Sequence, residues 1–465
     1  MGLDPLILSR LQFGWVIAWH ILLPAFTVGL ASYIALLEGH YFFTDKPIYF
    51  HISSFWTRIF AIAFGMGVVS GVVMPFQFGT NWSRFSDATA NVISPLLAYE
   101  SLTAFSLEAG FLGVLLFGRH LVPRPAHFAA ALLVAAGTLF SSFWILATNS
   151  WMQTPAGYKL VNGRFFPVDW IAVIFNPSFP YRLAHTVIGF YVTTGFVVMG
   201  VAALLIRWRS HAEEGKAMLT MTLGLLTVLV PLQIFLGDLH GLNTLKYQPA
   251  KLAAIEAHWN AESHAPLALF ALPDQDKETN HALVEVPELG SLILTHSTEG
   301  VVPGLKQFPK ANRAPVAVVF FSFRIMVGLG LVMLALVALA WLLRLRGTLF
   351  TNEWFLKLLT LASPIGFAAV IAGWITTEVG RQPWTVYGVL RTAQSVTPSL
   401  TGGEVLVSLL GYMLVYLVIY PVGGWMMWKA VLKGPGDIQA PVAGGRPAAP
   451  VVPPPQGSPD RRPAS

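Results

Sequence analysis

The sequence contains no cysteine among its 465 residues. That absence excludes disulfide bonds, cysteine-ligated iron–sulfur clusters and thioether attachment of haem. Charged residues are also scarce, at 11% of the chain, whereas a soluble domain of ordinary composition has about 25%. The net charge of +6 comes from basic residues that lie between apolar runs. That distribution is typical of membrane topology signals and does not indicate nucleic-acid binding.

Apolar sequence is abundant, with 55% hydrophobic residues and a mean hydropathy of +0.62. A membrane-spanning helix needs about 20 apolar residues, and about nine runs reach that length. The sequence therefore predicts an all-α fold, a polytopic membrane bundle of about nine transmembrane helices. The first run lacks a small-residue cleavage site, which favours a retained helix over a signal peptide. The runs are 12–38, 54–78, 92–117, 126–149, 183–206, 217–237, 315–343, 354–379 and 404–430.

The connections divide the chain into parts. Residues 1–237 hold the first six predicted helices, and residues 315–433 hold the last three. Residues 238–314 form a long polar loop that includes "KYQPAKLAAIEAHW", which predicts a short helix; loops of this length are usually functional or disordered. Residues 434–465 are rich in Pro, Gly and Ala and predict a disordered tail. The excess of Lys and Arg on one side places the N-terminus and the long loop outside and the C-terminus in the cytoplasm.

Ionisable residues inside spanning helices are costly and therefore indicate candidate functional sites. His20 and His185 fall well within predicted spans. Imidazole is a common metal ligand, although a histidine in an apolar helix can equally hydrogen-bond a neighbour. Glu100 and Glu108 lie about 12 Å apart along the axis of a regular α-helix. They predict a proton relay at two depths of one inner surface, or alternatively two protonated carboxyls that hydrogen-bond neighbouring helices.

The later spans add further candidates. Met326 would be ordinary core filling, but it is near Arg324, and a buried guanidinium requires an anion such as a haem propionate. Trp374 and Glu378 are four residues apart and share a helix face. Pro383 predicts a helix end just before it, which places Arg381 at the outer membrane boundary. Residue chemistry alone leaves two classes open: a membrane protein with metal or cofactor ligands, and a proton-coupled transporter that uses the same acids.

Several segments, in order along nearly the whole chain, resemble subunit I of the cytochrome bd-type quinol oxidases. One such segment would be weak evidence, but the ordered set is specific. The segments are "GTNWSRFSD" (79–87), "ESLTAFSLEAGFLG" (100–113), "WILATNSWMQTPAG" (144–157), "GDLHGLNTLKYQPAKLAAIEAHW" (237–259), "FSFRIMVGLG" (321–330) and "GRQPW" (380–384). The short form of the long loop is similar to the branch called cyanide-insensitive oxidases.

The resemblance implies a subunit that oxidises membrane quinol and reduces dioxygen to water without pumping protons. It implies a low-spin b haem, a high-spin b haem and haem d, or a b-type haem in place of haem d. His185 and Met326 match the ligand pair of the low-spin haem. His20 matches the axial ligand of haem d in our preferred assignment, and Glu378 that of the high-spin b haem.

The resemblance also assigns roles around the haems. Glu100 matches a residue on the distal side of the oxygen site, and Glu108 matches one on the proton route. Lys251 and Glu256 match quinol-site residues of the external loop, often called the Q-loop; the alternative is a solvated helix face. Residues that match positions near propionates or between haems are Arg10, Arg324, Trp374 and Arg381.

The same family implies partners and a location. It implies a heterodimer with a second membrane subunit, an optional small single-helix subunit, and the bacterial cytoplasmic membrane. A haem-containing electron carrier without oxygen chemistry is the remaining alternative. That carrier would need His185 and Met326, but not His20, Glu100 and Glu378 together.

Overall fold

The computed structural model of the protein describes residues 4–436. Within that range, nine helical segments are long and apolar enough to cross a membrane, which confirms the predicted all-α membrane bundle. The α-helices are α1 (Pro5–Thr44), α2 (Pro47–Thr80), α3 (Ser83–Tyr99), α4 (Ser106–Phe117), α5 (Arg124–Gln153), α6 (Trp170–Ile174), α7 (Phe179–Trp208), α8 (Ala212–Tyr247), α9 (Pro249–Glu256), α10 (Leu289–Thr295), α11 (Val316–Leu345), α12 (Glu353–Leu361), α13 (Ile365–Gly380) and α14 (Gly402–Lys433).

Most predicted runs stop short of the observed helix ends, and α8 differs most. It continues to Tyr247, so the predicted boundary at 237/238 falls inside a helix. The additional turns carry Asp238 and His240, which line an internal cavity. Hydropathy marked the end of the run at these polar residues. A helix can nevertheless continue where its polar side chains are buried in protein or line a cavity.

Two spans are not regular helices. A π-helical turn, Glu100–Phe105, joins α3 to α4, so the spacing of a regular α-helix does not apply between Glu100 and Glu108. π-turns are rare and are frequent at functional sites. The eighth span breaks between α12 and α13, where Pro364 immediately precedes α13. Proline has no N–H to donate and restricts the residue before it.

Short antiparallel hairpins lie in the connections on the side where α5, α8 and α13 end. They pair β1 (Tyr158–Val161) with β2 (Arg164–Pro167), β3 (Leu267–Asp274) with β4 (Thr279–Val286), and β5 (Trp384–Val386) with β6 (Leu390–Arg391). The predicted short helix of the long loop is present as α9. Most of the predicted tail, residues 437–465, lies outside the described residues.

The helices α1 and α7 form the centre of the bundle, because their apolar windows are the most buried of the candidate spans. Small residues allow the close packing that membrane helices use in place of a hydrophobic driving force. At Gly29 of α1, an added Cβ would lie 2.3 Å from Oγ1 of Thr194 in α7. At Gly200 of α7, it would lie 3.0 Å from the carbonyl oxygen of Leu359 in α12.

A buried ionic cluster ties the other end of the bundle together. Glu38 of α1 accepts hydrogen bonds from Ser53 of α2 and from Arg119, which follows α4. Nδ1 of His127 in α5 lies 3.2 Å from the same carboxylate. The guanidinium of Arg119 is mostly buried and paired, which stabilises the contact among these four segments.

The packing at Gly200 predicts the effect of a single added methyl group. Gly200→Ala should lower the thermal unfolding midpoint in detergent, because the methyl group meets Leu359 and Ser363, and overpacking costs about 1–3 kcal/mol. Gly224→Ala on α8 is the matched control, since nothing lies within 4 Å of its added Cβ. Equal midpoints for the two variants would contradict the close-packing account.

Candidate functional site

One internal cavity of about 2000 Å³ runs through the bundle. Every residue predicted for the site lines it, although these residues come from widely separated parts of the chain. They are Arg10, His20, Glu100, Glu108, His185, Lys251, Glu256, Arg324, Met326, Trp374, Glu378 and Arg381. The volume exceeds that of an ordinary small-molecule pocket, about 300–1,000 Å³. It is therefore large enough for more than one ligand of that size.

His185 and Met326 approach the cavity from α7 and α11, and each lies against a glycine of a neighbouring helix. An added Cβ at Gly237 of α8 would lie 3.2 Å from Cε1 of His185, and one at Gly373 of α13 would lie 2.7 Å from Sδ of Met326. Nδ1 of His185 is buried without a hydrogen-bond partner among the described residues. Arg324, which is close to Met326 on α11, pairs with Glu256 instead. Met326 and Arg324 therefore have different partners.

His20 is oriented from one side. Its Nδ1 lies 2.9 Å from Oγ of Ser70 in α2, and an added Cβ at Gly71 would lie 3.1 Å from its Cε1. A hydrogen bond at one ring nitrogen fixes the ring and leaves the other nitrogen available as a ligand. The ring of His20 is therefore oriented, with its Nε2 available to a ligand of the cavity.

Glu378, near the end of α13, is held by side chains of α5 and by the residue that follows α13. Nδ2 of Asn149 in α5 donates to Oε1 at 2.9 Å, and Nε2 of Gln153 donates to the same oxygen at 3.3 Å. Oε2 forms an ion pair with Arg381. An ionised carboxylate has about four lone-pair sites, so these three donors leave room for one further ligand.

Buried guanidinium nitrogens border the cavity near Glu378. Arg381 is 7% exposed, and its Nε and one of its terminal nitrogens have no hydrogen-bond partner among the described residues. Arg182, at the start of α7, is 4% exposed, and its Nε is likewise unpartnered there. Buried donors are normally satisfied, so these orphan donors fit a ligand with anionic groups. Haem propionates are such groups, and the His, Met and Glu side chains fit haem iron.

Glu100 is the first residue of the π-helical turn, and Glu108 lies just beyond the turn, in the first turn of α4. Oγ of Ser141 in α5 donates to Oε1 of Glu100 at 2.8 Å. Glu108 is buried where α5 approaches most closely, since an added Cβ at Gly137 would lie 2.6 Å from its Cγ. Both acids line the cavity, as do Arg10 and Trp374.

Lys251 projects from α9 into a polar pocket beside Glu378. Its Nζ donates to the carbonyl oxygen of Thr377 at 2.9 Å and to Oε1 of Gln153 at 3.3 Å. Burial, reinforced by the positive charge of Arg182, lowers the pKa of Lys251 well below its ordinary value. Losing a proton therefore costs this amine less than it costs an exposed lysine.

Glu256, at the end of α9, lines a different part of the same cavity. Its Oε2 accepts a hydrogen bond of 2.6 Å from Arg324, and Nε of Arg324 donates to the carbonyl oxygen of Ala268 at 2.7 Å. The anion that pairs with Arg324 here is thus a carboxylate of the chain. Lys251 is 4% exposed and Glu256 5% exposed, so the alternative of a solvated helix face is wrong.

Several polar residues of this site were not predicted, namely Asn149, Gln153, Arg182, His240 and Gln248. All except Arg182 lie within the segments that resemble the oxidase family. The signal that could have identified them was a polar side chain beside an apolar run. His240 was missed because the predicted span ended too early. Its ring centroid lies 5.8 Å from that of His185.

The fold and the cavity define a class: a polytopic helical membrane protein whose large interior cavity is lined by separate His, Met and Glu side chains. Residues 8–435 match the family described as cytochrome bd terminal oxidase subunit I. The chain belongs to that family.

Curated relatives and a solved structure agree with this assignment. The chain is 35% identical over 447 residues to cytochrome bd ubiquinol oxidase subunit 1 of Bacillus subtilis, covering 93% of this chain and 94% of the relative. It is 32% identical to cytochrome bd-II ubiquinol oxidase subunit 1 of Escherichia coli, covering 94% of this chain and 98% of the relative. The bd oxidase structure from Geobacillus thermodenitrificans aligns with a TM-score of 0.86 at 30% identity, covering 93% of this chain and 100% of the other.

Proposed function

We propose that this chain is the haem-bearing subunit of a terminal oxidase that oxidises membrane quinol and reduces dioxygen to water. The observation that carries the proposal is the single cavity, which brings together candidate ligands, acids and buried cations from most of the bundle. The family and its named relatives supply the reaction class. The enzyme would be a quinol:oxygen oxidoreductase that works with a second membrane subunit.

The proposed ligands are His185 and Met326 for the low-spin b haem, His20 for haem d or a b-type haem in its place, and Glu378 for the high-spin b haem. When bound, the haems would supply one-electron transfer and the site at which oxygen is reduced. The chain's own contribution is orientation. Ser70 holds the ring of His20, while Asn149 and Gln153 hold the carboxylate of Glu378.

The acids and cations have separate proposed tasks. Arg381 and Arg182 offer N–H groups that have no partner in the described part of the chain, and propionate oxygens would accept charge-assisted hydrogen bonds from them. Glu100 accepts protons at the oxygen site, and Glu108 passes them there from the cytoplasmic side. The π-helical turn begins at Glu100 and ends before Glu108, and a side-chain rotation or a water would carry a proton from one acid to the other.

Lys251 and Glu256 are the proposed quinol residues. Lys251 would donate a hydrogen bond to a quinone oxygen, while Glu256, held in place by Arg324, would accept a hydroxyl proton. The long loop and the N-terminus are placed outside and the C-terminus inside, on the charge distribution of the sequence. Protons from quinol would then be released outside and those for water taken from the cytoplasm, which builds a gradient without pumping.

The low-spin ligand pair predicts distinct spectra for two variants. His185→Ala removes a strong ligand and should abolish the low-spin haem signal in a reduced-minus-oxidised spectrum. Met326→Leu conserves volume but removes the thioether, so it should give a high-spin haem or one of lower potential. An unchanged low-spin spectrum in both variants would disprove the assignment.

Glu108→Gln tests the proton route. The amide keeps the shape but cannot relay a proton, so turnover should fall by about 10²-fold or more while the haem content stays the same. Glu213→Gln is the control, because Glu213 is exposed and pairs with Lys216 outside the cavity. Oxygen consumption with excess quinol measures both variants, and a wild-type rate for Glu108→Gln would show that the relay role is wrong.

The quinol site predicts a selective defect. Lys251→Ala and Glu256→Ala should impair quinol oxidation and retain the bands of every haem, because neither side chain is a proposed iron ligand. Electron entry from an artificial donor that bypasses the loop should survive. Lys277→Ala, in the exposed turn between β3 and β4, is the matched control. Equal loss with quinol and with the artificial donor would mean that the two residues are structural.

A further inference from the structure

Gln153, the last residue of α5, is fully buried at 0% exposure and connects three helices. Its amide oxygen accepts hydrogen bonds from Nζ of Lys251 at 3.3 Å and from Nε2 of Gln248 at 3.0 Å. Its amide nitrogen donates to Oε1 of Glu378 at 3.3 Å. One side chain therefore touches both the amine on α9 and the carboxylate on α13.

The orientation of this amide follows from its neighbours. A reversed amide would set an NH₂ group against the donors of Lys251 and Gln248, and an oxygen against the carboxylate of Glu378. The observed arrangement instead runs from amine to amide to carboxylate with every donor facing an acceptor. Hydrogen bonds in such a chain polarise one another in a low-dielectric interior, so a change at Lys251 alters the bond received by Glu378.

We propose that Gln153 is a positioning residue that couples the pocket of Lys251 to the carboxylate of Glu378. The inference rests on the proposed function, in which quinone binds at Lys251 and Glu378 holds a haem. When a quinone oxygen accepts a hydrogen bond from Lys251, the hydrogen bond from Lys251 to the amide oxygen of Gln153 weakens. The amide then donates less strongly to Glu378, and the haem held there changes its redox potential.

The experiment uses the complete oxidase with its haems and a soluble hydroxyquinoline N-oxide as the quinone mimic. The mimic's dissociation constant is measured on oxidised and on reduced enzyme, and the haem held by Glu378 is titrated with and without the mimic. Because coupling is reciprocal, a potential shift in the wild type implies dissociation constants that differ between the two redox states by the corresponding factor, which for typical couplings is about five-fold or more. Gln153→Leu should still bind the mimic, but the difference should fall below about two-fold and the potential shift should disappear.

Gln12→Leu is the matched control. Gln12 of α1 is also a buried glutamine, at 1% exposure, but its side chain accepts from Ser408 and does not line the cavity. This variant should keep the wild-type shift. Gln153→Asn provides a second test if the leucine variant fails to assemble, because it keeps a buried amide that is too short to hold both Lys251 and Glu378.

The outcomes separate this inference from the proposed function. A wild-type shift in Gln153→Leu or Gln153→Asn overturns the coupling role, as does a wild-type enzyme that binds the mimic without any shift. The quinol site itself is contradicted if the mimic does not bind the wild-type enzyme, or if it binds Lys251→Met as tightly as the wild type. Either result removes the basis of the coupling. Retained haem spectra in the Gln153 variants show that Glu378 still holds its ligand.

Discussion

The charge of Glu378 is the constraint on which the site depends. Burying a carboxylate away from water costs several kcal/mol unless partners replace its hydration. Here Arg381, the residue after the end of α13, supplies a counter-ion, and Asn149 and Gln153 supply donors from α5. Satisfying this one group holds the end of α13 against the end of α5. Through Gln153 and Lys251, it also holds α9 against both.

The cavity has two polar regions of different character. Near the connections, Lys251 and Glu256 lie in neighbouring parts of the cavity. Lys251 donates a hydrogen bond to the amide oxygen of Gln153, whereas Glu256 accepts one from the guanidinium of Arg324. Along the α3–α4 segment, Glu100 and Glu108 lie beside α5 and have fewer polar partners. This separation suits chemistry in which one region releases protons and the other takes them up.

Much of the fold could be predicted from the sequence because lipid imposes a strong rule: a spanning helix must be about 20 apolar residues long. The rule failed where the interior is polar. The extension of α8 past residue 237 and the π-helical turn at Glu100 both border the cavity, whose polar lining hydropathy does not register. The roles of Asn149 and Gln153 depend on the meeting of α5 with α13, and residues more than 200 positions apart leave no local pattern.

The central claim is that the cavity holds haems that receive electrons and bind a diatomic gas. The most direct test is the optical difference spectrum of the purified oxidase, recorded reduced against oxidised and then reduced with carbon monoxide against reduced. The account predicts low-spin and high-spin haem bands in the first spectrum and a carbon monoxide shift of the high-spin bands in the second. The absence of haem bands, or low-spin bands with no response to carbon monoxide, would contradict it.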